Sequence, residues 1–281
     1  MQRLLQEALM RKVRMAHLLL SLLLRRPQEF WDQMGVVGEK GLDSFFDQRV
    51  SYEALSWGDL AERLEATSGD LLKYLDEPEL TDIEEHVRQR LAGISHDPTI
   101  PVEMLFNADI LFARLCYAAT RRLKPSAVVE TGVAYGVTAS FILKALAKNG
   151  HGMLYSVELP PLALGADRFV GITVPDRLKS RWQLRMGATR RVMPKLFKEV
   201  GLLELFVHDS LHTYWNMRRE FDTAWAHLTN GGMLIADDIT GNWAFEELKQ
   251  RDPAFWGVCY DREDRAIYGD AKHSQFGVVV K

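Results

Sequence analysis

Cysteine is scarce in this chain: Cys116 and Cys259 are the two among 281 residues. Two thiols cannot build a disulfide scaffold or a multi-cysteine zinc site, so the expectation is a reducing, cytoplasmic setting. An excess of one charge sign is also missing. Lys plus Arg number 35 against 38 Asp plus Glu, a formal charge of −3 at pH 7. A polyanion-binding protein is normally basic, which argues against a nucleic-acid partner. Long hydrophobic runs are missing too. The most apolar stretch, residues 15–24 (MAHLLLSLLL), is ten residues long. As a helix it reaches about 15 Å, half of the roughly 30 Å needed to span a bilayer. Arg25-Arg26-Pro27 follows where a signal peptide would carry small residues at its cleavage site. No internal repeat or low-complexity tract stands out.

What is present is a globular composition, 47% hydrophobic and 26% charged, too rich in core formers for a disordered chain. Residues 2–26 read as one helix buried against the rest of the chain or a second subunit, with Leu18, Leu19, Leu22 and Leu23 inside. A homodimer through these N-terminal helices is therefore a possible assembly. Three glycines between residues 35 and 41 suggest a loop. Ser56 opens a helix that Gly69 stops, and Thr81 with Glu84 forms a capping box for another that ends near Gly93. The expected division is a helical extension, 1–98, and an α/β domain, 99–281.

From residue 99 the periodicity changes. A helix over 107–122 leads into a short apolar strand at 127–130 and a helix over 138–148. Further strands are read at 152–158, 181–186, 203–208 and 232–236, with a helix over 217–228 and a final hairpin from 256–260 and 276–280. Apolar strands alternating with helices predict a doubly wound parallel sheet covered on both faces. Ligands of such sheets sit beyond the carboxyl ends of the strands, so the residues after each strand carry the chemistry.

After the first strand comes Glu130-Thr-Gly132-Val-Ala134-Tyr135-Gly136-Val-Thr138. Its GxxxG spacing differs from the GxGxxG of nicotinamide and flavin folds, and Glu130 suits a cationic ligand better than a pyrophosphate. After the second strand stands Glu158, placed to accept hydrogen bonds from ribose hydroxyls. Asp209, Asp237 and Asp238 end adjacent strands. Three carboxylates at one edge repel one another unless a divalent cation, Mg²⁺ for an all-oxygen site, joins them. The plainer reading is that one or two of them, Asp238 above all, cap helices. Arg190-Arg191 and Arg218-Arg219 read as solvated helix charges, Cys116 as core, and Trp243 as either a pocket wall or an aromatic packed under a loop.

The segments VVETGVAYGVTAS and LYSVE resemble the cofactor motifs of class I S-adenosylmethionine-dependent methyltransferases. Gly187-Ala188-Thr189 resembles the turn that borders adenine in catechol-type O-methyltransferases. Asp209-Ser-Leu-His212-Thr-Tyr and Asn230-Gly-Gly-Met-Leu-Ile-Ala-Asp237-Asp238 resemble segments of a bacterial family that includes macrolide-sugar O-methyltransferases. The likeness runs from about residue 107 to 281. It implies a Rossmann-like sheet of seven strands, the last antiparallel, and methyl transfer from S-adenosylmethionine to a small-molecule hydroxyl, sugar or phenolic. It implies a donor site from Glu130, Gly132, Ala134, Tyr135, Gly136, Thr138, Glu158, Ala188, Thr189 and Asp209. The implied metal ligands are Asp209, Asp237 and Asp238, and the implied catalytic groups are Asp209 and His212. At Leu211 the sequence departs from the family, where an aspartate often stands, and this leaves His212 as the natural base. A hydroxylase on the same fold and a non-catalytic assembly subunit are the alternatives.

Overall fold

A computed structural model describes residues 17–45, 49–94, 109–163, 165–260 and 275–281. Seven strands form one sheet: β1 (Ala127–Thr131), β2 (Met153–Glu158), β3 (Trp182–Met186), β4 (Leu203–His208), β5 (Leu228–Ala236), β6 (Phe255–Tyr260) and β7 (Gln275–Val280). Their order is β3-β2-β1-β4-β5-β7-β6. The first five run parallel, and β7 lies antiparallel to both β5 and β6. This is the Rossmann-like sheet expected from the sequence, with its last strand reversed.

Alternation along each strand feeds two cores, because successive side chains leave a strand on opposite faces. Val128, Leu205 and Val207 join one cluster with α5 (Ile110–Leu123) and α6 (Val137–Asn149). Val129, Phe206 and Leu234 join the other, which includes Met193 of α7 (Thr189–Val200), Phe221 of α8 (Tyr214–His227) and Phe245 of α9 (Ala244–Lys249). Burying a side chain of this size stabilises the fold by about 1.5–3 kcal/mol.

Among the described residues four α-helices precede α5: α1 (17–25), α2 (Pro27–Asp43), α3 (Trp57–Ser68) and α4 (Pro78–Ile94). Ser56 caps α3, its Oγ accepting the Asp59 N–H, and Gly69 ends it, as the sequence indicates. Leu60, Leu64, Ile83, Val87 and Leu91 of α3 and α4 share the α5–α6 core. Leu55 extends the sheet beyond β6 by donating its N–H to Val258.

Three sequence expectations change. The first is the glycine stretch 35–41, which lies inside α2 rather than in a loop. Tertiary bonds along α2, described below, outweigh the helix penalty of glycine, about 1 kcal/mol per residue. Gly35 also makes room, since a Cβ there would collide with the Arg190 guanidinium. The second is the Thr81–Glu84 capping box. α4 already begins at Pro78, a residue favoured at a helix start because its missing N–H is not needed there. Glu84 instead binds Arg88 and Arg114. The third concerns the leucines of α1. Leu22 is buried and Leu18 and Leu19 are half-buried, but Leu23 faces outward in the single chain. The remainder of the expected first helix, residues 1–16, lies outside the described residues. Among the described residues no helix is long and apolar enough to cross a membrane.

Candidate functional site

The strand order reverses between β1 and β4, and the loops leaving these two strands meet there. The Asp209 N–H bonds to the Thr131 carbonyl at 2.8 Å, and the Asp237 N–H to the His208 carbonyl at 2.9 Å. Gly132 holds φ +82°, and a Cβ on it would lie 1.9 Å from the Asp209 carbonyl oxygen. Only glycine lets the two loops approach this closely. The glycine-rich turn and the aspartate after β4 therefore form one floor.

Glu158 closes that floor from β2. Its Oε2 accepts the N–H groups of Val133 and Ala134 at 2.5 and 2.8 Å. Burial pushes its carboxyl above the usual range, and these amides partly offset the rise. Glu130, on β1, is completely buried. Burial pushes it up to about 8, against the hydrogen bond from Ser156. Among the described residues its Oε1 has no partner, nor does the buried Thr138 hydroxyl. A carboxyl so placed accepts a ligand cation readily, because the cation supplies the charge that burial otherwise disfavours. Ala188 and Thr189 begin α7, where the Thr189 hydroxyl donates to Asn216 at 2.9 Å. Tyr135 and Gly136 are packed against the 171–174 segment through the Tyr135 carbonyl and the close contact of Gly136 with Gly171.

Beyond the floor, Asp209, His212 and Asp237 each place one donor atom within 4.8 Å of the others. Burial and the nearby Asp237 and Asp238 push the Asp209 carboxyl well above the usual carboxylate range. Burial and the neighbouring His208 hold His212 down, at about 4, so its ring is neutral at pH 7. His212 Nε2 lies 3.9 Å from Asp209, and Nδ1 lies 3.7 Å from Asp238. Asp238 thus stands beside the other ring nitrogen, half-exposed and with φ +49°, instead of inside the cluster with Asp209 and Asp237. The chemistry of this donor set, two carboxylates and a neutral imidazole, fits a divalent cation.

Sequence reasoning missed the support beneath the cluster. Glu220 and His208 are fully buried and paired at 2.7 Å. The Glu220 carboxylate also accepts the hydroxyls of Thr131 and Ser210 and the amide of Asn216. Asn216 in turn donates to the Leu211 carbonyl, fixing the loop that carries His212. Burial alone would raise the Glu220 carboxyl, but the His208 charge and the hydrogen bonds outweigh it and hold it at about 2. A signal existed, because Glu220 interrupts the apolar stripe of Met217, Phe221 and Ala224 on α8. Glu220→Ala should destabilise the protein by about 3–5 kcal/mol, since it strands a buried partner. Urea denaturation at neutral pH measures this. The native carboxylate is depressed from 4.5, so its contribution is complete above that value and disappears as pH falls through about 2.

The other missed element is α2, which runs across the carboxyl ends of β2, β3 and β4. Gln33 donates to the Pro160 carbonyl, and Asp32 accepts the Ala188 N–H at 3.0 Å. Glu39 pairs with Arg219, and Asp43 accepts the Tyr214 N–H. Arg191, expected to be solvated, binds the buried Asp32 instead. Arg218 pairs with Glu247, Cys116 is core as expected, and Trp243 is half-exposed.

Residues 129–239, the span from the glycine turn to the acidic cluster, match the family model described as a methyltransferase domain. A search of curated proteins gives no match to the chain. Among solved structures, the chain resembles an O-methyltransferase from Bacillus cereus in complex with SAH, at 13% identity and TM-score 0.48, over 80% of this chain and 98% of that one. It also resembles the O-methyltransferase TomG from Streptomyces achromogenes, involved in tomaymycin synthesis and in complex with SAM, at 11% identity and TM-score 0.49, over 80% and 96%. An SAH-bound methyltransferase from Podospora anserina shares 14% identity at TM-score 0.45, over 83% and 100%.

Proposed function

We propose that this protein is a methyltransferase that moves the methyl group of S-adenosylmethionine to the hydroxyl oxygen of a small molecule, a sugar or a phenol. The observation that carries this reading is the grouping of His212 with Asp209 and Asp237, beside the glycine turn. The donor site is the turn with Glu130, Glu158, Ala188 and Thr189. The partnerless Oε1 of Glu130 supports a donor that carries a cationic amino group. Asp209 and Asp237 are the grouped carboxylates that would hold a divalent cation, and a cation bound there would lower the pKa of an acceptor hydroxyl.

His212 acts as the base. Asp238 beside Nδ1 favours the proton on that nitrogen, which leaves the Nε2 lone pair facing the Asp209 side. The hydroxyl gives its proton to Nε2, its oxygen bonds to the methyl carbon, and the carbon–sulfur bond breaks to release S-adenosylhomocysteine. The sulfonium methyl is already activated, so the protein's main work is to align donor and acceptor. A second reading makes His212 a ligand, because its donor atom falls within the same 4.8 Å grouping as those of Asp209 and Asp237. A nitrogen donor favours a cation softer than Mg²⁺.

Mass spectrometry of a panel of sugars and catechols incubated with S-adenosylmethionine tests the reaction. Methylated product is expected from at least one class. Calorimetry tests the donor separately, and binding of NAD in preference to S-adenosylmethionine would sink the reading. Glu158→Ala should weaken donor binding by about 1.5–3 kcal/mol, the range for lost hydrogen bonds to a charged group.

A further inference from the structure

A cavity of about 290 Å³ lies between α4 and the connection from β2 to β3. His86 and Arg90 reach it from α4, and Arg168, Asp176 and Lys179 reach it from the connection. Several guanidinium groups near packed helices meet carboxylates closely, as Arg114 meets Glu84, Arg121 meets Glu77 and Arg191 meets Asp32. Arg90 and Arg168 form no such close pair, and Lys179, with Arg90 at longer range, holds the Asp176 carboxyl below its ordinary value. Arg90 donates through Nε and Nη2 to the Ile172 carbonyl, at 3.3 and 3.1 Å. Arg168 donates to the Gly165 carbonyl at 3.4 Å and lies over the Phe169 ring. Among the described residues neither has an ion-pair partner. Lys179 pairs with Asp176 at 2.7 Å, and that carboxylate is almost fully in solvent. His86 donates from Nε2 to the Thr173 carbonyl, which completes the wall. Arg90, Arg168 and Lys179 therefore line one concave surface, with the Asp176 carboxylate beside Lys179. Their head groups are open to an incoming anion, and guanidinium groups held by backbone carbonyls lose less freedom when they bind one.

We propose that this cavity is a second ligand site, one that takes a compact phosphoryl-type dianion. The ligand is a small molecule, since the volume lies at the small end of the range for ligand sites and the chain's net charge of −3 opposes a polyanion. The cavity also shares a wall with the glycine turn. The Gly171 N–H bonds to the Ala134 carbonyl at 2.9 Å, and Thr173 bonds to the Tyr135 carbonyl through both its N–H and its hydroxyl. An anion held by Arg90 and Arg168 braces the segment on which that turn rests. The site stands independently of the methyl-transfer reading, because the test reads binding directly.

The test is titration calorimetry on the full chain at fixed ionic strength, with inorganic phosphate, pyrophosphate, ribose 5-phosphate and ribose. Saturable binding of at least one phosphate compound is expected, with no binding of ribose. Tighter binding of ribose 5-phosphate than of inorganic phosphate assigns the site to an organic phosphate, and the reverse assigns it to the free ion. Arg90→Gln with Arg168→Gln should weaken binding by about tenfold or more, the loss expected for charge-assisted hydrogen bonds. S-adenosylmethionine affinity without phosphate should stay unchanged in this variant. If the double variant misfolds, Arg168→Gln alone carries the test, since its side chain lies at the surface. Absence of saturable phosphate binding by the wild type, or unchanged binding by a folded variant, overturns the proposal.

Discussion

Removal of divalent cations by a chelator is expected to abolish methyl transfer while leaving donor affinity nearly unchanged. The donor rests on the glycine turn, Glu130 and Glu158, whereas the cation would rest on the neighbouring strand ends. In the cation-free protein, burial and the adjacent carboxylates hold the Asp209 carboxyl well above its ordinary range. A carboxyl raised in the folded state favours folding at low pH, and its contribution is lost as pH rises from the unfolded to the folded pKa. A bound cation reverses this, so added Mg²⁺ or Mn²⁺ should raise the melting temperature most clearly at neutral pH. At a hundredfold excess over Kd the gain is about 2.7 kcal/mol. Asp209→Ala should lose both the thermal shift and turnover. Full activity in chelator would remove the cation from the account.

His212→Ala should lower turnover by about 10²–10⁴-fold, the range for a lost general base. The structure moves the pH at which this base acts. An ordinary histidine would give a rate that climbs near pH 6.5, but burial holds His212 at about 4. A lowered pKa keeps the ring neutral and competent above that value. Wild-type turnover should therefore stay level from neutral to mildly acidic pH and fall as pH drops through about 4, and the variant should lack that limb. Cation affinity measured on the same variant separates the two roles. An unchanged affinity identifies a base, and a large loss identifies a ligand. Wild-type turnover by the variant would remove His212 from the chemistry altogether.

The sheet was legible from sequence because its signals are local. Apolar runs such as those at Val128 and Val207 mark strands, and glycine at 132 and 136 marks a turn needing positive φ, with no knowledge of distant residues. Chain order then brings Asp209 and Asp237 to one edge, since parallel strands end on the same side. The candidate residues could be named this way, but not their grouping. Three facts came from packing between residues far apart: Asp238 lies beside Nδ1 of His212, Glu220 and His208 form a buried pair below the loop, and His212 sits low on the pH scale. Burial and neighbouring charge cause each of them, and neither can be read from spacing.

The first hundred residues show the same division more sharply. By itself the sequence marked the helix that Ser56 opens and another ending near Gly93, and an apolar stretch, residues 15–24, too short to span a bilayer. Only the tertiary structure decided that residues 35–41 are helix and that this helix lies over the strand ends. Asp32 accepts its bond from Ala188 and holds Arg191, partners more than 150 positions along the chain. Propensity is a sum over neighbours and penalises the three glycines of α2. The bonds that outweigh it form only when the folded sheet presents its amides and guanidinium groups to that helix.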